Sequence, residues 1–425
     1  MPSEETVKFT FTLANVQKFS ILRAKRAINM IKSICLSVVS IIAITCTAFA
    51  DKKIPPTFAK APDHEDFAKK LFSAALPGDE NENFVISPYG AFQAFSLISL
   101  GAKGKTSQAF NITLGYDTNA PCPFISKICS ECNESLASGN NEKVKLQLSN
   151  SIWLAPKFKP RPSFIKHADD GFNAVVKQVE MGLPAQQQIN EYVSLRTKGM
   201  IKELLKEPPD AATELITVNT VYLDAKWKNP FKKTSTFKRP FYAARGERQV
   251  DFMHSTSQYK IFKSDICKIL FLPYYGEQLE MAIILPEKNT ALDILKGKFT
   301  SDCLSRISKN APFKTVDVAL PKFEISSRID LINPLSKMGL GIAFSYLADF
   351  SRISDTSLAI SKAEQVAKIR VDEDGTEAAA ATYIAMMRCA LMRADEEFIA
   401  ERPFIFVLRD KKTSAILFAG KLSCP

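Results

Sequence analysis

The segment Val371-Asp-Glu-Asp-Gly-Thr-Glu-Ala-Ala-Ala-Ala-Thr382 constrains this chain more than any other, because two readings of it demand different folds. Propensity alone makes the alanines a helix. Counted in twos, positions 376, 378, 380, 382, 384 and 386 are Thr, Ala, Ala, Thr, Ile and Met, whereas the alternate set begins with Glu377 and continues Ala379, Ala381, Tyr383, Ala385 and Met387. Only the first set is neutral and small at its start, as a strand needs if that face enters a packed interior. Gly375 precedes it and supplies the backbone freedom of a hinge. Fully extended, Thr376 to Arg388 covers about 40 Å, enough to cross a large sheet.

The chain has 425 residues, 46% hydrophobic and 24% charged, so it can bury one or two sizeable cores and disorder is not the default. Its N-terminus reads as a leader. Lys32 is followed by an apolar run over 34–45 that ends in Ala48-Phe49-Ala50, a small-x-small pattern suited to signal peptidase. We expect residues 1–50 to be removed, with Met30 as an alternative true start. A retained anchor is the competing reading, but the apolar run is shorter than the roughly 20 residues that span a bilayer. The leader holds six basic residues against Glu4 and Glu5, so its loss lowers the formal charge from +11 to +7. The expected product is secreted and extracellular, with no membrane association and no nucleic-acid partner.

From residue 63 onward there is no linker, internal repeat or low-complexity run beyond the alanines at 378–381, so residues 51–425 read as one domain. Its first half patterns as helices over 65–75, 87–101 and 189–205. Its second half patterns as short strands over 215–223, 269–272, 279–285, 316–320, 367–371, 404–408 and 415–419. Helices first and strands later indicate an α+β architecture.

Catalytic signatures are missing around His64, His167 and His254, and no phosphate-cradling glycine loop is present. No metal set is expected. Cys129-Ser-Glu-Cys132 has redox or zinc spacing but lacks a second ligand pair or a βαβ context; a disulfide to Cys122 or plain surface thiols are the alternatives. The seven cysteines after the leader cannot all pair within one chain. Lys226, Lys228, Lys232, Lys233, Lys238, Arg239, Arg245 and Arg248 stand against only Glu247, a polyanion or glycan site or else a solvated face split by strand alternation. Asn111-Ile-Thr and Asn133-Glu-Ser are glycosylation sequons.

Together these residues resemble the serpin family over about 63–425. Asp372, Glu373, Asp374, Gly375, Thr376, Glu377, Ala378, Ala379, Ala380, Ala381 and Thr382 look like its inhibitory hinge. In family order follow, or precede, Asn83-Phe-Val-Ile-Ser-Pro88, Leu215-Ile-Thr-Val-Asn-Thr-Val-Tyr222 with Trp227 and Pro230-Phe231, Leu272-Pro-Tyr-Tyr-Gly276, Leu320-Pro-Lys-Phe323, Ala348-Asp-Phe-Ser351, Arg402-Pro-Phe404 and Phe418-Ala-Gly-Lys421. The resemblance implies a serpin fold of three β-sheets and eight or nine helices, with an exposed reactive-centre loop near 376–399. It also implies a suicide substrate rather than an enzyme. A serine protease cleaves the loop, an acyl-enzyme forms, and 376–388 inserts into the main sheet to trap it.

Fourteen residues beyond Gly375, the usual family distance, lies Cys389, so the expected reactive bond is Cys389–Ala390, suited to chymotrypsin- or elastase-like targets. The alternative is Arg388–Cys389, for trypsin-like ones. Exposed, Cys389 is either a thiol open to oxidation or a small apolar contact. The resemblance places Trp227 at the breach where the sheet opens and Ser87, Asn219 and Gln365 in the sheet-opening cluster, with Gln365 where the family commonly has His. Arg352 stands where glycine is frequent. Partners are serine proteases and some cysteine proteases, and the molecule is expected to be a monomer. The rival reading is a non-inhibitory serpin serving as carrier, chaperone or storage protein.

Overall fold

Pro88–Ser99 is a helix buried on every face, and the chain is wrapped around it. Ser87 starts it, its Oγ accepting from the Gly90 amide at 3.1 Å. Gly90 lets it lie close to a sheet: a Cβ there would stand 2.3 Å from Asn219 Oδ1 and 2.9 Å from Ser87 Oγ.

The computed structural model describes residues 62 and 64–425, apart from 289, 296, 297, 299 and 377–392. The expectations for the leader at 1–50, for the hinge beyond Thr376 and for Arg388, Cys389 and Ala390 therefore lie outside the described residues. Among the described residues there are eight α-helices, and no helix is long and apolar enough to cross a membrane.

The sheet against this helix has six strands in the order Phe323–Asp330, Glu364–Val371, Gly375–Thr376, Leu215–Lys226, Val144–Leu154, Val175–Gln178. Leu215–Lys226 pairs antiparallel with Val144–Leu154 from Leu215↔Leu154 to Ala225↔Val144, and Glu364–Val371 pairs antiparallel with Phe323–Asp330. Among the described residues, the backbone between these two blocks is joined only at its ends. A parallel bridge ties Ile216 to Lys362, and at the opposite end Gly375–Thr376 fits between Val371 and Ala225. The two long strands flanking this slot run in the same direction, because each is antiparallel to Gly375–Thr376.

The remaining nine strands are joined by hydrogen bonds, eight of them in one continuous path and Phe237–Ala243 branching from it. Its continuity comes from Gly246–Lys263, 18 residues long, which serves two sheets at once. Its first part pairs with Phe237–Ala243, its middle with Phe313–Pro321 and its last residues with Cys267–Pro273. At one end Glu396–Ile399 runs parallel to Phe313–Pro321. The α+β reading holds.

One helix differs from expectation. The 189–205 segment is a helix only to Arg196, within Leu183–Arg196. Lys198 at φ 49° and Gly199 at φ 80° turn the chain left-handed and end it. The following segment folds back, with the Leu205 amide bonding Asn190 Oδ1 and Asn190 Nδ2 bonding the Leu205 carbonyl, both at 2.8 Å.

Candidate functional site

Sequence alternation makes Thr376 the first inward residue of its set, and in the structure its side chain is buried. Its hydroxyl lies 2.5 Å from the Tyr274 hydroxyl, and the Tyr274 ring stacks on Trp227 at 4.4 Å between centroids and 20° between planes. Burial pushes the Tyr274 phenol well above its ordinary range, so it stays protonated as a hydrogen-bonding group.

Gly375 is required by close approach: a Cβ on it would sit 2.0 Å from the Ala225 carbonyl oxygen and 2.8 Å from Lys226 Cα, both backbone atoms that cannot give way. The preceding turn is pinned from several sides. Trp227 donates its ring N–H to the Asp372 carbonyl and its amide to the Asp374 carbonyl, each at 3.0 Å. The Phe231 amide donates to the Glu373 carbonyl at 2.9 Å, and the Asp372 amide to the Gly375 carbonyl at 3.0 Å.

Glu373 is buried, and its carboxylate accepts from Thr236 Oγ1 at 2.8 Å while pairing with Lys322 at 2.9 Å. Burial raises its pKa, but the bonds from Lys322 and Thr236 outweigh that and hold it below the usual glutamate value. Lys233 adds a pair to Asp374 at 3.2 Å. These contacts fix the hinge as a closed turn whose exit, Thr376, already occupies the mouth of the slot.

At the middle of the slot the structure brings Ser87 and Gln365 together. The Ser87 amide donates to Gln365 Oε1 at 2.9 Å and Gln365 Nε2 donates to the Ser87 carbonyl at 3.0 Å, so the strand Glu364–Val371 is locked to the start of the buried helix. Both bonds use the amide's two ends, which imidazole cannot reproduce with one ring nitrogen. Asn219 faces the same place but bonds elsewhere, its Nδ2 donating to Asn150 Oδ1 at 2.8 Å. Asn219 Oδ1 and Thr217 Oγ1 are buried without a partner among the described residues, and both line one small cavity with Gln365.

Of the basic stretch, five side chains meet carboxylates: Lys228 with Glu277, Lys233 with Asp374, Lys238 with Asp251, Arg239 with Glu401 and Arg245 with Asp79. Asp79, Glu277 and Glu401 come from distant parts of the chain, so the local sequence overstated the free charge.

Neither sequon is presented freely. Asn111 is buried inside the helix Gly104–Leu114, its amide spent on the Thr118 and Ala120 carbonyls at 3.0 and 3.3 Å, which corrects its reading as a glycan acceptor in the folded chain. Asn133, in the helix Cys122–Ala137, accepts from the Tyr89 hydroxyl at 3.0 Å and donates to Gln93 Oε1 at 3.1 Å, both on the helix Pro88–Ser99.

The six described cysteines are all free, which removes the disulfide reading of Cys122 with Cys129 or Cys132. Burial pushes the Cys129 thiol up to about 12 and raises Cys132, the opposite of what a redox pair requires.

A family model described as "Serpin (serine protease inhibitor)" matches residues 62–425. Glia-derived nexin of Mus musculus is 32% identical over 372 residues, covering 84% of this chain and 91% of that protein. Leukocyte elastase inhibitor of Sus scrofa is 32% identical over 378 residues, covering 84% and 97%. Among solved structures, the thermophilic serpin tengpin in its native state superposes with a TM-score of 0.78 at 27% identity, covering 85% of this chain and 93% of that one.

Proposed function

Because this chain belongs to the serpin family, we propose that it is a secreted, monomeric suicide substrate of serine proteases rather than an enzyme. The observation that carries the reading is the placement of Thr376 between Val371 and Ala225, at the head of a slot closed at its far end by the Ile216–Lys362 bridge.

The protease serine attacks the carbonyl carbon of Cys389, or of Arg388 in the alternative. The following residue leaves as a free amine and the chain remains on the enzyme as an ester. Residues 377–388 then follow Thr376 into the slot, gaining backbone hydrogen bonds on both sides, and draw the bound protease along before water can hydrolyse the ester. Ala378, Ala380 and Thr382 suit this path because a charge buried there unpaired costs several kcal/mol. Cysteine at 389 favours chymotrypsin- or elastase-like targets, a choice in keeping with a relative named for elastase inhibition.

Incubation with chymotrypsin, elastase and trypsin tests this. The expected result is a complex that survives denaturing electrophoresis, with a released C-terminal peptide beginning at Ala390. A peptide beginning at Cys389 moves the bond to Arg388. Cleavage with no stable complex rejects inhibition.

A further inference from the structure

The segment 197–206, between the helix Leu183–Arg196 and the strand Leu215–Lys226, is fastened to both sides of the slot. On one side it is rooted in a buried apolar cluster, where Leu204 and Leu205 join Val193 of the helix and Trp153, Ile216 and Val218 of the paired strands Val144–Leu154 and Leu215–Lys226. The bonds between Asn190 and Leu205, with Gln186 Nε2 donating to the Lys206 carbonyl at 2.8 Å, make helix and segment one unit.

On the other side the segment is held by Arg328, from the strand Phe323–Asp330. One guanidinium nitrogen, Nη1, donates to the Leu204 carbonyl and the other, Nη2, to the Glu203 carbonyl at 3.3 Å. Two donors of one planar fork thus take two consecutive carbonyls, a task for which arginine is suited and lysine is not. Glu364 orients the fork, pairing with Nη1 at 3.3 Å while its second oxygen pairs with Lys362 at 3.3 Å. Lys362 is the residue whose backbone bridges to Ile216 at the far end of the slot. Arg328 stands opposite Val366, the neighbour of Gln365, and successive residues of a strand point to opposite faces. The strand Glu364–Val371 is therefore held at one level on both faces, behind by Gln365 and Ser87 and in front beside Arg328 and its two carbonyls.

We propose that Arg328 is a clasp that sets how fast the slot opens, a positioning residue of the inhibitory reaction that acts through the segment 197–206. The inference rests on the suicide-substrate reading. A strand entering between Glu364–Val371 and Leu215–Lys226 moves the two blocks apart by about one strand spacing, roughly 4.8 Å. Arg328 travels with one block, whereas Glu203 and Leu204 are rooted in the other, and no hydrogen bond stretches that far. Both donations must break for the slot to open. The clasp thereby lengthens the time in which water can hydrolyse the ester and release the protease.

The test uses the full-length protein and a synthetic peptide of residues 377–388, whose uptake is followed as a rise in unfolding temperature. Arg328→Met keeps the apolar stem and removes both donations, so uptake should be about tenfold faster than in the wild type while the unfolding temperature without peptide falls. Arg328→Lys, which reaches one carbonyl at a time, should lie between the two. Lys166→Met breaks an exposed pair with Asp170 inside the helix Pro162–Phe172, away from the clasp, and should leave uptake unchanged. Glu364→Gln, which keeps both carbonyl bonds but loses the charge that orients the fork, is the second variant, with uptake about threefold faster. Uptake by the wild type with no acceleration in Arg328→Met or Glu364→Gln, or with equal acceleration in Lys166→Met, overturns the clasp and leaves the suicide-substrate reading standing. No uptake by any of these proteins also overturns the clasp, and the suicide-substrate reading falls with it only if no stable complex forms with chymotrypsin, elastase or trypsin.

Discussion

The hydroxyl of Thr376 lies 2.5 Å from that of Tyr274, and this contact joins the last described residue of the hinge to the aromatic pair Tyr274–Trp227 at the head of the slot. Tyr274→Phe leaves the buried Thr376 hydroxyl without its partner, at a cost of about 1–3 kcal/mol to the closed hinge. Thr376→Arg has a larger effect. Its charge would enter at the buried position, so the variant should be cleaved by protease without forming a complex stable in denaturant. Retention of that complex contradicts the reading.

Gly375→Ala separates close approach from flexibility. The added methyl meets backbone at 2.0 Å, so residues 375 and 376 must leave the position between Val371 and Ala225. Amide exchange at Asp372 and Trp227, whose N–H groups bond the Gly375 and Asp374 carbonyls, should rise in the variant while the paired block from 144 to 154 stays protected. Unchanged protection at all three sites would show that the approach is not limiting.

The hinge should respond to acid through Glu373. Its pKa is depressed in the folded chain, so its contribution is present above the ordinary value of 4.5 and is lost as pH falls through the lower folded value. Trp227 reports on this directly, since Trp153 is the chain's only other tryptophan and Trp153→Phe removes its signal. Emission should be flat above 4.5 and change below it, and Glu373→Gln should abolish that acid step. The same step in the Gln variant assigns the change to another group.

Thr217→Val replaces a buried hydroxyl that has no partner among the described residues with a methyl of similar size, next to Asn219 and Gln365. The native form should gain about 1 kcal/mol. Since the slot must widen at that point, inhibition should slow as thermal stability rises. A gain in stability with faster complex formation would place the opening elsewhere.

Much of the fold was legible because its signals are local. The runs at 215–223, 279–285 and 404–408 all became strands, starting where expected and running on to Lys226, Pro286 and Asp410. The joining of sheets through Gly246–Lys263 was hidden, since that strand mixes charged and apolar residues over 18 positions and serves two environments. At the site, the period-two reading reached Thr376, but its partner Tyr274 lies 102 residues away and no spacing announces it. Distance in sequence also hid Asp79, Glu277 and Glu401, which pair with Arg245, Lys228 and Arg239 of the basic stretch. Asn111 shows the converse, a local sequon match whose side chain the tertiary fold consumes.

Hydrogen exchange on the strands Leu215–Lys226 and Glu364–Val371, before and after cleavage at the reactive bond, tests the central claim most directly. If the cleaved segment becomes a strand between them, amides along the facing edges, from the Ile216 end to the Ala225 end, should gain protection together. Protection that stays confined to the neighbourhood of Gly375–Thr376 after cleavage would show that the slot does not receive the segment, and the inhibitory mechanism would fall with it.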